Sequence, residues 1–266
     1  MKYTLNSYWK VFWKFRSIHA MRTFEYRKNF FFWAVVATMW TLFNIFFYKI
    51  LYQHTTTVGG WGEYQLYTLV GLYTMFDAII WSVLSHSMKY YTRDIYSGEF
   101  SNLLTKPINT VFLIFTRYNN YNNLPRFVIG VGLTIWSLLQ LGAAPTPLSL
   151  MLALLAIGLG LIWISAVWLC ISTLAFYVEK LDNINEVFPA LRRIYSYPAS
   201  IYTNTLHLVL TTVIPLGLIT TLPAETLHGH LSLTSFAWLL VSTLIAVVSA
   251  ALFFRFSIKR YAGVAN

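Results

Sequence analysis

The stretch "LSLMLALLAIGLGLIWISAVWLCISTLAF", residues 148–176, contains no Asp, Glu, Lys or Arg. As a helix it would rise roughly 44 Å at about 1.5 Å per residue, which exceeds the roughly 30 Å of a bilayer's hydrocarbon core. A soluble protein has little use for such a segment. The rest of the chain agrees: of 266 residues, 57% are hydrophobic, 18% aromatic and only 11% charged, against about 25% charged in ordinary soluble domains. Five more apolar segments stand at 30–51, 64–87, 124–141, 200–221 and 233–254. Barrel strands would alternate over about ten residues, and that pattern is missing. The fold class expected is therefore an all-α integral membrane protein, one domain over 1–266 with six transmembrane helices.

The basic residues orient these segments. With the N-terminus placed in the cytoplasm, eighteen of the nineteen Lys and Arg fall on that side, as cytoplasmic loops require. Three of them, Lys180, Arg192 and Arg193, lie after the fourth segment. The exception, Lys49, ends the first segment, where its stem can reach the interface. Both termini are expected in the cytoplasm. The net charge of +10 then reflects orientation and attraction to anionic lipid, and calls for no nucleic acid. The lone Cys170 excludes an intramolecular disulfide or a cysteine metal cluster.

Residues 1–28 form a separate pattern. Lys2, Asn6, Lys10, Lys14, Ser17 and Met21 recur at helical spacing opposite Leu5, Tyr8, Trp9, Phe12, Phe15 and His19. A helix lying in the membrane interface is expected there. The outer stretch "TLPAETLHGHLS" has room for one helical turn after Pro223. Its Glu225, His228 and His230 are the kind of residues a polar loop supplies by chance, and no metal site is assigned. Small residues at Ala156 and Gly160, and at Ser242, Ala246 and Ala250, allow helices to approach closely.

Candidate functional residues are few. The chain has no G-x-x-x-x-G-K-[ST] phosphate loop, so it is not expected to be an enzyme, and any ATP and Mg would sit on a partner. Asp77 lies near the middle of the second segment, where a carboxylate costs on the order of 3 kcal/mol. It shares a face with Thr74 and should look inward, either bonded to a neighbouring helix or lining a pathway. In the fifth segment Asn204, His207 and Thr211 follow one face, and Pro215 should kink the helix.

Between segments two and three lies "SGEFSNLLTKPINTVF", residues 97–112. Gly98 suits a left-handed helix end, Glu99 an N-terminal turn, and Pro107 a stop. Phe100, Leu103 and Leu104 would form the apolar face of a short helix over about 98–107. Too short to be stable alone, it must pack on something.

That stretch, with "EYRKNFFFW", "YSYPASIY", "IPLGLITTLPAE" and the basic "FFRFSIKRYAG", resembles the ABC-2-type transporter permeases, most nearly a bacterial branch. The resemblance implies that Gly98, Glu99, Phe100, Leu103, Leu104, Lys106 and Pro107 form the coupling helix that docks on an ATPase subunit. Ser101 stands where relatives often carry an acid, so the apolar contact matters more than an ionic one. It also implies two permease chains, the same or related, with two ATPases in a bacterial inner-membrane exporter. Two other classes stay open on the residues alone: an ion-coupled secondary transporter using Asp77, and a non-transporting membrane anchor.

Overall fold

A computed structural model describes residues 5–142, 144–178, 191–192 and 194–261. Helices make up nearly all of it, and the described residues contain no strand beyond an isolated bridge between Val58 and Trp61. In chain order these are α1 (Leu5–Glu25), α2 (Arg27–His54), α3 (Glu63–Tyr96), α4 (Phe100–Leu104) and α5 (Thr110–Thr116). Then come α6 (Leu124–Gln140), α7 (Pro147–Phe176), α8 (Asn204–Val213), α9 (Pro215–Leu227) and α10 (Leu233–Ile258). Local chemistry sets several starts. The Gln65 side chain accepts from the Gly62 amide at 2.9 Å, Pro147 follows the Thr146 cap of α7, and the Ser232 hydroxyl caps α10, each satisfying an otherwise orphaned amide.

Four helices, α2, α3, α7 and α10, are long and apolar enough to cross a membrane, and the bent pair α8–α9 makes a fifth if counted as one span. The expected count of six is not reached on this measure. The segment expected at 124–141 forms α6, whose 17 residues rise only about 25 Å. α3 widens into a π turn at Ile80–Ser85 and then runs past its expected end at residue 87 as a helix to Tyr96.

α3 and α6 pack closely where both lack side chains. A Cβ on Gly71 would lie 2.7 Å from the Thr134 amide and one on Gly130 would lie 2.6 Å from the Met75 amide. The Thr68 and Ser137 hydroxyls meet across the same seam at 2.9 Å. Without a hydrophobic driving force between helices in lipid, close backbone approach and such bonds supply the association. α7 occupies the middle of the bundle. Gly160 faces Ile219 of α9, and Thr243 of α10 donates to the Leu159 carbonyl at 3.5 Å. The small residues read from sequence thus serve packing within the chain.

The fifth expected segment is corrected most. It was expected to enter at residue 200 from the side of the 97–112 loop and cross as one kinked helix. Instead the Ser200 hydroxyl donates to the Gly59 carbonyl at 2.6 Å, at the opposite end of the bundle, in the loop after α2. α8 then turns by 87° into α9 near Ile214, where Gly217 comes close to the Leu210 carbonyl. Ile219 packs at the depth of Gly160, and the His228 ring after α9 meets Trp61 at 5.8 Å, back at the end where Ser200 lies. Residues 200–228 thus leave and return on one side, a re-entrant hairpin. Pro223, expected before a single helical turn, sits buried inside α9.

Two predictions follow from this packing. Gly130→Val forces a branched side chain against backbone atoms and should lower stability by at least the ~1–3 kcal/mol of overpacking, read as a fall in the melting temperature of the detergent-solubilised chain. His228 is pushed down to about 4 by burial and by the neighbouring His230. With its folded value below the ordinary ~6.5, its contribution is fully present above pH 6.5 and is lost as pH falls from there toward 4. The melting temperature should drop over that window, and His228→Phe should flatten the drop.

Candidate functional site

Two arrangements stand out, a buried charge cluster and the short helix α4. Asp77 on α3 is fully buried. Its Oδ2 pairs with the Arg126 guanidinium at 2.5 Å and with the Arg192 guanidinium at 2.9 Å. The Tyr195 hydroxyl reaches Oδ1 at 3.5 Å, and the Arg192 Nε donates to the Tyr73 hydroxyl at 2.7 Å. Thr220 of α9 donates to the Tyr195 carbonyl at 2.6 Å, and Thr221 accepts from the Ala199 amide at 3.1 Å. The cluster therefore ties together α3, the start of α6, the turns around Tyr195 with the 3-10 turn Ala199–Ile201, and α9. A buried carboxylate is tolerated when it is paired and bonded in this way.

Arg192, counted by sequence among the cytoplasmic charges after the fourth segment, is half-buried against this carboxylate. Arg126 sits three residues into α6, so Asp77 stands level with the beginning of that helix. Lys180 and Arg193 lie outside the described residues. Sequence reasoning missed Arg126, Arg192 and Tyr195 as partners. The available signal was Asp77 itself, since a carboxylate at that depth requires countercharges.

The other pathway candidates do not gather around Asp77. Thr74 is buried and donates to the Val70 carbonyl in its own helix at 2.7 Å. Asn204 is exposed, His207 half-buried, and Thr211 donates to the His207 carbonyl at 2.8 Å. A cavity of about 540 Å³ between α3, α6 and α7 has an almost wholly apolar lining, including Leu72, Ile135, Leu138 and Leu154, and contains none of the five.

At α4 the expected elements are present with their faces reassigned. Gly98 has φ of +76°, in the left-handed region that glycine permits at a helix end. The helix covers only Phe100–Leu104. Phe100 and Leu103, expected to face a partner, are 0% and 3% exposed. Phe100 packs edge-on against Tyr91, Phe176 and Tyr261 with ring centroids 5.3–5.6 Å apart. The apolar face is thus consumed by the chain's own core, because α3, α7 and α10 all end around it. Tyr261 also donates to the Gly98 carbonyl at 3.2 Å. Facing outward are Glu99, Asn102, Leu104, Thr105, Lys106 and Pro107.

Next to α4, Asp94 pairs with Arg117 at 3.0 Å and Arg93 at 3.4 Å. α1 covers the same region: the Tyr8 hydroxyl accepts from the Asn109 amide at 3.1 Å, and Arg16 bonds to Asn119. Asn6, Lys10, Lys14, Ser17 and Met21 remain exposed, as their spacing predicts.

A family model described as ABC-2 family transporter protein matches residues 38–265. The chain belongs to the ABC-2 transporter family. Among curated proteins none matches it significantly. Membership makes this chain a multi-pass membrane subunit of a transporter and implies an ABC ATPase as its partner. The ABC-2 chain carries no catalytic role of its own in that family.

The charge cluster has a direct consequence for this ABC-2 subunit. Asp77→Leu leaves two half-buried guanidinium groups without their anion and should cost less than the ~3–5 kcal/mol of breaking a fully buried pair, measured as lost thermal stability and lower yield of folded protein. Arg126→Leu should cost less than Asp77→Leu, since Arg192 still neutralises the carboxylate.

Proposed function

We propose that this chain is the permease subunit of an ATP-driven exporter, and that α4 with its flanking turns docks on the ATPase. The observation that carries this reading is the division of α4: Phe100 and Leu103 are locked into the core while Leu104, Lys106 and their neighbours face out. A helix rooted in this way moves with α3, α7 and α10 when pushed. The docking surface is then Glu99, Asn102, Leu104, Thr105, Lys106 and Pro107, with Gly98 setting the turn. Phe100 and Leu103 act as anchors that transmit the push.

In this reading two permease chains, the same or related, combine with two ATPases that hold ATP and Mg. Here α6 is a further, shorter crossing beside α2, α3, α7 and α10. The distribution of Lys and Arg supports cytoplasmic termini in a bacterial inner membrane, with α1 along its surface. Access to a path between the two permeases changes as the ATPases close, and the hairpin α8–α9 with Asn204, His207 and Thr211 supplies part of its wall. The burial of Asp77 between two arginines supports a structural role over a proton-carrying one, and so disfavours a secondary transporter.

The combined change Leu104→Asp and Lys106→Glu should abolish co-purification of the ATPase while the melting temperature stays close to wild type. Leu103→Asp should instead unfold the subunit. Normal co-purification of the Leu104→Asp, Lys106→Glu protein would overturn the docking assignment.

A further inference from the structure

Residues 141–146 alone connect α6 to α7, and helices joined so closely ordinarily pack against each other. Here they are splayed: α6 packs on α3, while α7 packs on α9 and α10. The gap between them is the apolar cavity of about 540 Å³, a volume typical of ligand sites. Buried Leu72 of α3, Ala153 of α7 and Leu227 of α9 form its floor, and exposed Leu139 of α6 with Leu150 and Leu154 of α7 form its rim.

The lining, the length and the mouth of this groove fit one occupant. Among the described residues that line it, Thr134 carries the one polar side chain, and its hydroxyl already donates to the Gly130 carbonyl at 2.9 Å. No charge or free donor is held ready for a polar ligand, and an apolar cavity stays dry. On the α6 side the groove runs from Val131 to Gly142, about 15 Å at roughly 1.5 Å per residue. That is half of the roughly 30 Å hydrocarbon core, the depth of one leaflet. The far end of α7 carries Phe176 against Phe100 of α4, so the groove, near the Pro147 end, lies in the half of the bundle away from α4. Its rim is continuous with the surface that a multi-pass membrane subunit turns toward lipid, and the groove therefore opens sideways into the bilayer. Packed interiors do not leave such a gap unfilled. The connection 141–146 has no charged residue, so the apolar chain rather than a headgroup carries the recognition.

We infer that this groove binds one acyl chain of a phospholipid from the leaflet opposite α4, with the carbonyl end at the Gly142 turn and the methyl end toward Met75 and Val131. The chain supplies the contact that α6 and α7 do not make with each other.

The test uses the full chain in detergent with added phosphatidylcholine that carries a diazirine at the middle of one acyl chain. After irradiation the sites of insertion are mapped by mass spectrometry. Insertion is expected at Leu72 or Ala153, which are buried and out of reach of a lipid lying against the outside of the bundle, as well as at exposed Leu244 and Val248 of α10. Ala153→Phe fills the floor, and Leu154→Trp closes the mouth from an exposed position. Each should lower insertion at Leu72 by about tenfold or more, the scale of losing a few well-packed contacts. Insertion on α10 should stay unchanged in both, and Leu154→Trp should keep the melting temperature of the lipid-free chain. Insertion confined to exposed residues in the wild-type chain, or undiminished at Leu72 in Leu154→Trp, would overturn the proposal. So would a wild-type dimer without insertion at Leu72 that Leu154→Trp turns into a monomer, which would give the groove to a second copy of the chain.

Discussion

The carboxylate of Asp77, closed off from solvent between the guanidinium groups of Arg126 and Arg192, constrains most of what surrounds it. An unpaired charge there would be prohibitive, so both arginines must come to it. Arg126 can do so only if α6 begins level with Asp77, which sets the register that brings Gly71 against Gly130. Arg192 can do so only if the chain after α7 turns back into the bundle. From Arg192 the backbone then climbs past Tyr195 and Ala199 to meet Gly59. Once it has reached that end, the apolar residues 204–227 have to dip in and return as the hairpin α8–α9.

The same helix that carries Asp77 also leads into α4. α3 is a 34-residue helix, about 50 Å long, with Asp77 in its first half and the Gly98 turn just past its end. The π turn between them is a local widening, and the Ser82 carbonyl there accepts from the Asn120 amide at 2.8 Å. Displacement of α4 would act on the aromatic cluster of Tyr91, Phe100, Phe176 and Tyr261, where three long helices end together. The charge cluster and the α4 anchorage are thus held on one helix, with α1 laid across the 109–119 segment beside α4.

Much of the bundle was legible because apolarity is a local property. The runs that became α2, α3, α7 and α10 stand out by length alone, and Gly98 announced its left-handed turn. Direction was not legible at 200–221. An apolar run reads the same whether it crosses or dips and returns; the break falls beside Pro215, where a kink was expected, but its sharpness, with Gly217 close to the Leu210 carbonyl, is a contact no periodicity reveals. The pairing of Arg192 was not legible for a related reason: counting basic residues by side says nothing about which of them finds a carboxylate. At α4 the amphipathic pattern was right, but a pattern cannot say whose core receives Phe100 and Leu103. The partners of Asp77 lie 49 and 115 positions away in sequence, beyond the reach of any local motif.

The passage of the chain to the Gly59 end before residue 200 follows most directly from this charge cluster, and side-specific labelling tests it. In a Cys170→Ser background, single cysteines replacing Thr56, Ser200 and Lys106 would be probed with a membrane-impermeant maleimide on sealed inverted vesicles and on intact cells. The cysteines at 56 and 200 should label from the same side, with the one at 106 labelling from the other. Labelling of the cysteine at 200 from the side of 106 would contradict the re-entrant hairpin and the anchoring role given to Asp77.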